Sequence, residues 1–335
     1  MKNDIQNDKA HAFDSPIERA RKAVSDHYAG VNIEIDGPVS IRDNSQIFHA
    51  TVNTATPLQV AIKLCLDPQT KTPDKSAAVE QFAALERVSN VLENDNNRFR
   101  VPKPLCLSAE LATFAMSWVE GKSLTSRLRH PSVFIKGEDW IHGIGAWLGN
   151  FHKVGPLRRR QACLDERIKV IEELRISPMP DRAFAEAIRV LQKTAPTMNG
   201  MDVEVSWLHG DCKTDNFLLS GSGIYGIDIS LSYENPVEYD LAQFMNNLDL
   251  LLRSPQYLYL RGMQSKLEAA FWRGYRSTGP SVSDAYLNWL RLGFSLSFWH
   301  SMLKGRHRNI RTWILNRLFA KQAINLCGKI GFGVN

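Results

Sequence analysis

One stretch constrains this chain more than any other: Trp207 to Ser230, WLHGDCKTDNFLLSGSGIYGIDIS. A polar turn comes first, with His209, Gly210, Asp211, Lys213, Asp215 and Asn216. Two short apolar runs follow, split by Ser220-Gly221-Ser222-Gly223. Apolar run, Gly/Ser turn, apolar run predicts a β-hairpin. A turn centred on Ser222 sets Asn216 and Asp228 six positions to either side. They then face each other, with Cβ atoms about 5 Å apart. An amide oxygen and a carboxylate at that spacing suit Mg²⁺, which takes few protein oxygens and leaves the rest to phosphates and water. Asp211 stands just upstream, where a base for an incoming hydroxyl belongs.

At 335 residues the chain calls for two lobes or one large α+β domain. Hydrophobic and charged fractions of 44% and 23% fit a soluble globular protein. The five cysteines (65, 106, 163, 212, 327) are scattered and odd in number, with no CxxC. That pattern predicts reduced thiols in a cytoplasmic protein, against a disulfide framework or a zinc site. The opening MKNDIQNDKAHAFDSP lacks the apolar core of a signal peptide, and no apolar run is long enough to span a bilayer. The net charge of +6 is uneven. From residue 251 onward 13 basic residues face two acids, so this end carries +11 and the first 250 residues −5. A basic end favours anionic partners or surfaces.

The pattern then divides the chain. Residues 1–14 read as disordered, and Ser15-Pro16-Ile17-Glu18 as a capping box opening a helix that Gly30 stops. From Val31 the period is two. Three antiparallel strands are predicted: one from Val31, one over Gln46–Asn53 and one over Leu58–Leu66. In the third, Val60, Ile62, Leu64 and Leu66 share one face, and Ala61, Lys63 and Cys65 the other. A lysine there is either a solvated edge residue or a functional one. A helix over Asp74–Leu92 carries Glu80 and Glu86, and strands follow around Pro104–Ser108 and Thr113–Val119. The rest reads as mainly helical: Trp140–His152, Asp165–Leu174, Asp181–Lys193, Pro236–Leu252 and several helices to about Leu326. The domains are therefore residues 1–30 (extension and capping helix), 31–119 and 120–335. The expected class is α+β: a small antiparallel-sheet N-lobe with one helix, then a larger helical C-lobe.

His209-Gly210-Asp211, Asn216 and the later Asp228 resemble the signature of the protein-kinase-like fold, closest to the aminoglycoside phosphotransferase and choline kinase family. VAIK at Val60–Lys63, the Glu80 helix, Met116–Glu120 as hinge and Tyr239-Asp240-Leu241-Ala242 fall in the matching order. The resemblance implies a bilobal fold and phosphoryl transfer from ATP, with GTP left open, to a hydroxyl of a small molecule, assisted by Mg²⁺. It implies that Asp211 accepts or orients the hydroxyl proton and that Lys213 sits near the γ-phosphate. Asn216 and Asp228 are the implied metal ligands. Lys63 meets the α/β-phosphates and is oriented by Glu80, with Glu86 as its rival. Ala61 lies under the adenine, whose edge meets backbone groups of Ser117–Val119. His209 and Asp240 are structural by the same comparison.

Two departures stand out. No GxGxxG lies between the first strands; Asp43-Asn44-Ser45-Gln46 takes that place, with Asn44 and Ser45 as the phosphate-facing candidates. Only a short run separates Asp228 from Tyr239, which leaves no room for an activation segment that cradles a peptide. The acceptor is therefore expected to be small, and the basic C-terminal region favours a neutral or anionic one, sugar- or glycan-like. An aminoglycoside or choline-type acceptor is the alternative; it needs acids, for which Glu234, Glu238, Asp165, Glu166, Glu172 and Glu173 are available. Trp272, Trp289, Phe294, Phe298, Trp299 and Trp313 supply core, with one or two rings for stacking. A nucleotide-binding scaffold without turnover is the rival from another class. No nucleic-acid-reading motif occurs. The apolar stripe Ile310, Ile314, Leu315, Leu318, Phe319 and Ala323, flanked by Arg306, Arg308, Arg311, Arg317 and Lys321, is either a packed last helix or a peripheral contact with anionic membrane.

Overall fold

The computed structural model describes residues 15–92, 99–176, 181–230, 234–303 and 310–331. The chain divides into two compact units: residues up to Gly121 together with Tyr225–Ser230, and the remainder from Lys122. The return segment Tyr225–Ser230 places Asp228 with the first unit, not with the helical half that contains the rest of its motif. Residues 1–14 and Lys304, Arg306 and Arg308 lie outside the described residues.

The first unit opens with α1 (Pro16–Ser25). Proline at its first turn suits the start of a helix, but the Ser15 side chain makes no capping bond; the backbone carbonyl of Ser15 accepts from Glu18 and Arg19 instead. The helix ends at Ser25, ahead of Gly30, and buries Ala20 and Val24 against the sheet. The strands β1 (Ile33–Arg42), β2 (Ser45–Val52) and β3 (Leu58–Cys65) precede α2 (Lys75–Leu92), β4 (Phe99–Arg100), β5 (Pro104–Ser108) and β6 (Thr113–Ser117). Five strands form an antiparallel sheet in the order β1-β2-β3-β6-β5. β3 is central, with Lys63 opposite Ile47 on one side and Phe114 on the other. Both faces are covered: Val60 to Cys65 are all buried, Lys63 among them at 5% exposure. It is not an edge lysine. Asp74 caps α2 by accepting from the Ala77 N–H at 3.0 Å.

The second unit holds β7 (Lys122–Ser123), α3 (Leu124–Arg127), α4 (Val133–Phe151), β8 (Arg158–Gln161), α5 (Asp165–Ile176), α6 (Arg182–Met198) and β9 (Asp202–Trp207). The hairpin follows as β10 (Phe217–Ser220) and β11 (Gly223–Gly226). Its two-residue turn is Gly221-Ser222, half a residue earlier than a turn centred on Ser222. Then come β12 (Glu234–Pro236), α7 (Glu238–Arg253), α8 (Gln264–Thr278), α9 (Asp284–Leu303) and α10 (Ile310–Gly331). A three-stranded sheet, β12-β9-β8, interrupts the helical half where mostly helix was expected. α4 and α8 cross so closely that a Cβ on Gly145 would lie 2.2 Å from the Phe271 carbonyl oxygen. That crossing sets His152, at the end of α4, against Tyr275 of α8, with Nδ1 and the hydroxyl oxygen 2.9 Å apart. The apolar side of α10 is packed, with Phe319 and Ala323 buried, and the helix lies against α6, α7 and α9; Ile310 is exposed. Among the described residues no helix is long and apolar enough to cross a membrane.

α7 positions the polar loop. Asp240, Gln243 and Asn247 recur at helical spacing and present one polar face to it. Asp240 accepts the N–H of His209 at 2.6 Å and of Gly210 at 3.1 Å. Gln243 accepts the N–H of Cys212 at 3.1 Å. Asn247 accepts both the N–H and the hydroxyl of Thr214, at 2.9 and 2.7 Å. Four loop amides that no strand or helix satisfies are thereby paired, as buried backbone groups must be. Gly210 sits at φ +84°, in the left-handed region that glycine enters freely. His209 is fully buried among Trp147, Phe151 and Phe217 and braces the loop from its apolar side.

Burial pushes the Asp240 carboxyl upward, but the hydrogen bond from His152, the charges of His152 and His209 and the His209 N–H outweigh it and hold the group below the usual carboxylate range. Asp240→Asn replaces an acceptor oxygen with a donor that opposes the loop amides; a loss of about 3 kcal/mol in denaturant unfolding is expected. Unchanged stability would remove Asp240 as the clamp. Glu238, at the start of the same helix, behaves oppositely. One oxygen accepts from Ser283 at 3.1 Å, the other has no partner, and burial pushes its carboxyl up to about 7. Folded protein then keeps a proton that unfolded chain releases above about 4.5, so this group's contribution falls as pH rises between those values and is fully lost above about 7. Glu238→Gln is expected to remove that slope, with the difference in unfolding free energy between wild type and variant changing by roughly 3 kcal/mol across the window. A pH-independent difference would refute the assignment.

Candidate active site

The helical unit brings Asp211, Lys213 and Asn216 together. β9 runs straight into the loop, so its buried Val203 and Val205 anchor the chain a few residues before Asp211. The Lys213 ammonium is ion-paired to Asp211 Oδ2. Asn216 is fully buried, and its Nδ2 donates to the Asp211 carbonyl at 2.8 Å and to Asp211 Oδ2 at 3.0 Å. With the nitrogen committed twice, the amide is oriented, and its Oδ1 is buried without a hydrogen-bond partner. A buried acceptor left unpaired costs about 1–3 kcal/mol, so this oxygen calls for a donor or a hard cation. Oxygen ligands of this kind suit Mg²⁺; no cluster of three His, Cys, Asp or Glu side chains able to hold a metal occurs among the described residues. Cys212 is no nucleophile: burial pushes its thiol well up, Asp240 and Asp211 add to the shift, and it stays protonated.

The first unit brings Lys63 and Asp228 together. The Lys63 ammonium is ion-paired to Asp228 Oδ1, and Arg42 Nη1 donates to Asp228 Oδ2 at 2.8 Å. Asp228 adopts φ +62°, a left-handed conformation that costs a non-glycine residue energy and clusters at functional positions. Gln81, Leu85, Pro102, Phe114 and Met116 line a pocket with Lys63 and Asp228. Glu80 does not orient Lys63: both Glu80 and Glu86 point to solvent on α2, and Gln81 is the polar side chain of that helix at the pocket. One residue, about 100° of helical phase, separates the expectation from the outcome. Ala61 is buried opposite Met116. In the hinge segment the N–H of Ser117 is committed to the Lys103 carbonyl at 2.8 Å and that of Trp118 to the Gln59 carbonyl at 3.0 Å. Ser45 is buried, with its hydroxyl 3.4 Å from Asn44 Oδ1, and Asn44 is exposed in the β1–β2 turn.

Sequence reasoning missed Arg42, Gln243 and Asn247. For the two amides the signal was present: with Asp240 they form a polar stripe at i, i+3 and i+7 on a helix that follows a loop rich in unpaired amides. Arg42 had no local signal, because its partner is 186 residues away.

A pocket of about 580 Å³ opens beside Asp211 within the helical unit. Its wall includes Asn247, Ser297, Ser301 and the rings of Phe294 and Phe298, the latter 53% exposed. Asp211 and Lys213, paired with each other, are the only charged side chains among its described lining residues. Of the six acids available to a cationic acceptor, Glu234 is paired with Arg158 and Arg160, Glu172 with Arg175, and Glu238 lies in the interior; none of the six lines this pocket. Trp289 and Trp299 are core.

No curated protein matches the chain. Solved structures do. An amicoumacin kinase, in complex with AMP-PNP, Ca²⁺ and Ami, superposes with a TM-score of 0.58 at 13% identity, covering 92% of this chain and 95% of its own. The choline kinase of Streptococcus pneumoniae gives 0.52 at 15% identity, covering 93% and 100%. A glucosamine kinase, in complex with glucosamine, ADP and inorganic phosphate, gives 0.55 at 11% identity, covering 88% and 94%. At such identities the likeness establishes the kinase-like fold. The profile of the phosphotransferase enzyme family, APH, matches residues 69–280, a span that holds Asp211, Lys213, Asn216 and Asp228 but begins after Lys63. The chain belongs to that phosphotransferase family and is an enzyme that transfers phosphate to a hydroxyl of a small molecule.

Proposed function

We propose that this enzyme is an ATP- and Mg²⁺-dependent kinase whose acceptor is a neutral, polyhydroxylated molecule, sugar- or glycan-like. The observation that carries the acceptor class is the pocket beside Asp211: amides, hydroxyls and two phenyl rings, with no carboxylate beyond the one already paired to Lys213. A polycation bound there has no countercharge. A neutral sugar finds hydrogen-bonding groups at its edges and an apolar ring for its face. Neighbours of the same fold solved with AMP-PNP or ADP support the nucleotide.

Each side chain then has a role. Asp211 takes a hydrogen bond from the acceptor hydroxyl and orients it, after exchanging its partner Lys213 for the substrate. Lys213, released, lies where negative charge develops on the transferred phosphoryl group. Asn216 Oδ1 and the Asp228 carboxylate offer the oxygens for Mg²⁺, which when bound neutralises phosphate charge. Lys63 contacts the phosphates. The five free cysteines fit a reducing, cytoplasmic setting.

A screen of sugars, polyols, choline and aminoglycosides, read by the mass shift of one phosphate, is expected to show turnover with neutral hydroxylated acceptors. Turnover confined to choline or aminoglycosides would sink the acceptor class. Asp211→Asn is expected to lower kcat by about 10²- to 10⁴-fold while nucleotide affinity stays. Equal rates in wild type and variant would defeat the assignment of Asp211.

A further inference from the structure

The β1–β2 connection carries a cation that no role above uses. Arg42 is the last residue of β1, Asp43 and Asn44 make the turn, and Ser45 pairs back to Arg42 at the start of β2. A turn that binds phosphate through its backbone needs its N–H groups bare and close, which glycine provides. This one has no glycine, neither Asp43 nor Asn44 is at positive φ, and Asp43 is itself ion-paired to Lys71 at 2.8 Å. The turn is therefore poorly suited to a backbone cradle, and it puts a guanidinium at the site instead.

Charge shows what that guanidinium lacks. Asp228 is shared between two cations, Lys63 on Oδ1 and Arg42 on Oδ2, so the cluster is left with one positive charge in excess. The other described residues lining the Lys63 pocket, among them Gln81, Leu85, Pro102 and Phe114, carry no charge to balance it. Lys63 alone neutralises Asp228; for a purely structural pair Arg42 is surplus. Exposure grades outward: the side chains are 6% exposed at Lys63, 18% at Asp228 and 37% at Arg42. The surplus cation is the one nearest solvent, where an incoming anion meets it first.

We propose that Arg42 is a phosphate-binding residue of the nucleotide site, held ready by Asp228. Its planar fork offers paired N–H donors to phosphate oxygens, which suits Arg better than the point charge of Lys. With only Nη1 committed to Asp228, the other N–H donors of the guanidinium serve the terminal phosphates from the turn, with or without a cation at Asp228. A side chain thus does what a glycine-rich turn does with backbone amides. The inference rests on the proposed nucleotide-dependent activity.

The test is equilibrium binding of ADP and GDP, with adenosine and guanosine as phosphate-free controls, measured by calorimetry in EDTA and again in Mg²⁺. Wild type, Arg42→Gln, Arg42→Lys and Lys63→Ala are compared, with thermal melting to show that each is folded. In EDTA the Asp228 metal contact is absent, so only direct contact between Arg42 and phosphate registers. Arg42→Gln is expected to weaken binding of the preferred diphosphate about 10- to 100-fold in both buffers, to leave the nucleoside unaffected, and to be partly rescued by Arg42→Lys. Diphosphate binding weakened by Lys63→Ala but not by Arg42→Gln in EDTA overturns the role of Arg42 alone. Arg42→Gln that weakens the nucleosides equally also overturns it, by showing a general effect on the fold. Wild-type protein that binds neither diphosphate removes the nucleotide-dependent reading and Arg42 with it.

Discussion

The buried carboxylate of Asp240 is the constraint on which the helical unit depends. It accepts two successive backbone N–H groups at the start of the polar loop and the His152 imidazole at 3.2 Å. A carboxylate with no exposed surface survives only if its acceptor sites are filled by donors and a neighbouring charge. Here those donors are the loop, so burying Asp240 and shaping the loop are one event. Gln243 and Asn247 extend the same logic along α7, and Asp211 is delivered as a consequence. The α4–α8 crossing contributes by placing His152 and Tyr275 behind Asp240.

Electrostatics in the two units follows one pattern. Each carboxylate expected to work on substrate is paired to a lysine of its own unit, Asp211 to Lys213 and Asp228 to Lys63. Such pairs hold the lysines in place, and each pair can exchange partners when phosphate or metal arrives, because the charges that separate are met by new ones. Asn216 Oδ1 has no such arrangement: it is buried without a hydrogen-bond partner and fixed in place by the two bonds of its own amide nitrogen. Rigid, buried and unpaired, it is the part of the site whose chemistry is least explicable without a ligand. The pocket beside Asp211 differs again: beyond the Asp211–Lys213 pair its polarity comes from amides and hydroxyls.

Much of this was legible along the chain because the signals were local. Period-two runs located β1, β2, β3, β5 and β6; amphipathic spacing located the main helices; the loop residues and the Gly/Ser turn located the hairpin. The strands that escaped notice lacked such signals. β8 reads Arg-Arg-Arg-Gln and is fully exposed, so no apolar face marks it, while β12 is three residues long. β9 does alternate, with Val203 and Val205 inward, but its length is short and its meaning comes from pairing with those two neighbours. The Ser15 capping box failed for a related reason: the motif permits the bond, and the backbone satisfied the amides without it. Glu80 failed by helical phase, since a helix offers several faces and only packing chooses which one meets Lys63.

By itself the sequence determined the family, the order of strands and helices, and the residue types of the chemistry, because these rest on local period and on motifs a few residues long. Tertiary structure alone decided the partners. That Lys63 is held by Asp228 rather than by a glutamate of α2, that Arg42 joins them, and that α7 clamps the loop all depend on residues 30 to 186 positions apart. The same holds for the pocket beside Asp211, whose wall is made from side chains of α7, α9 and the loop. Pattern along a chain reports which face of an element is apolar; which polar groups meet is settled by burial, where each must find a partner or remain at a cost in free energy.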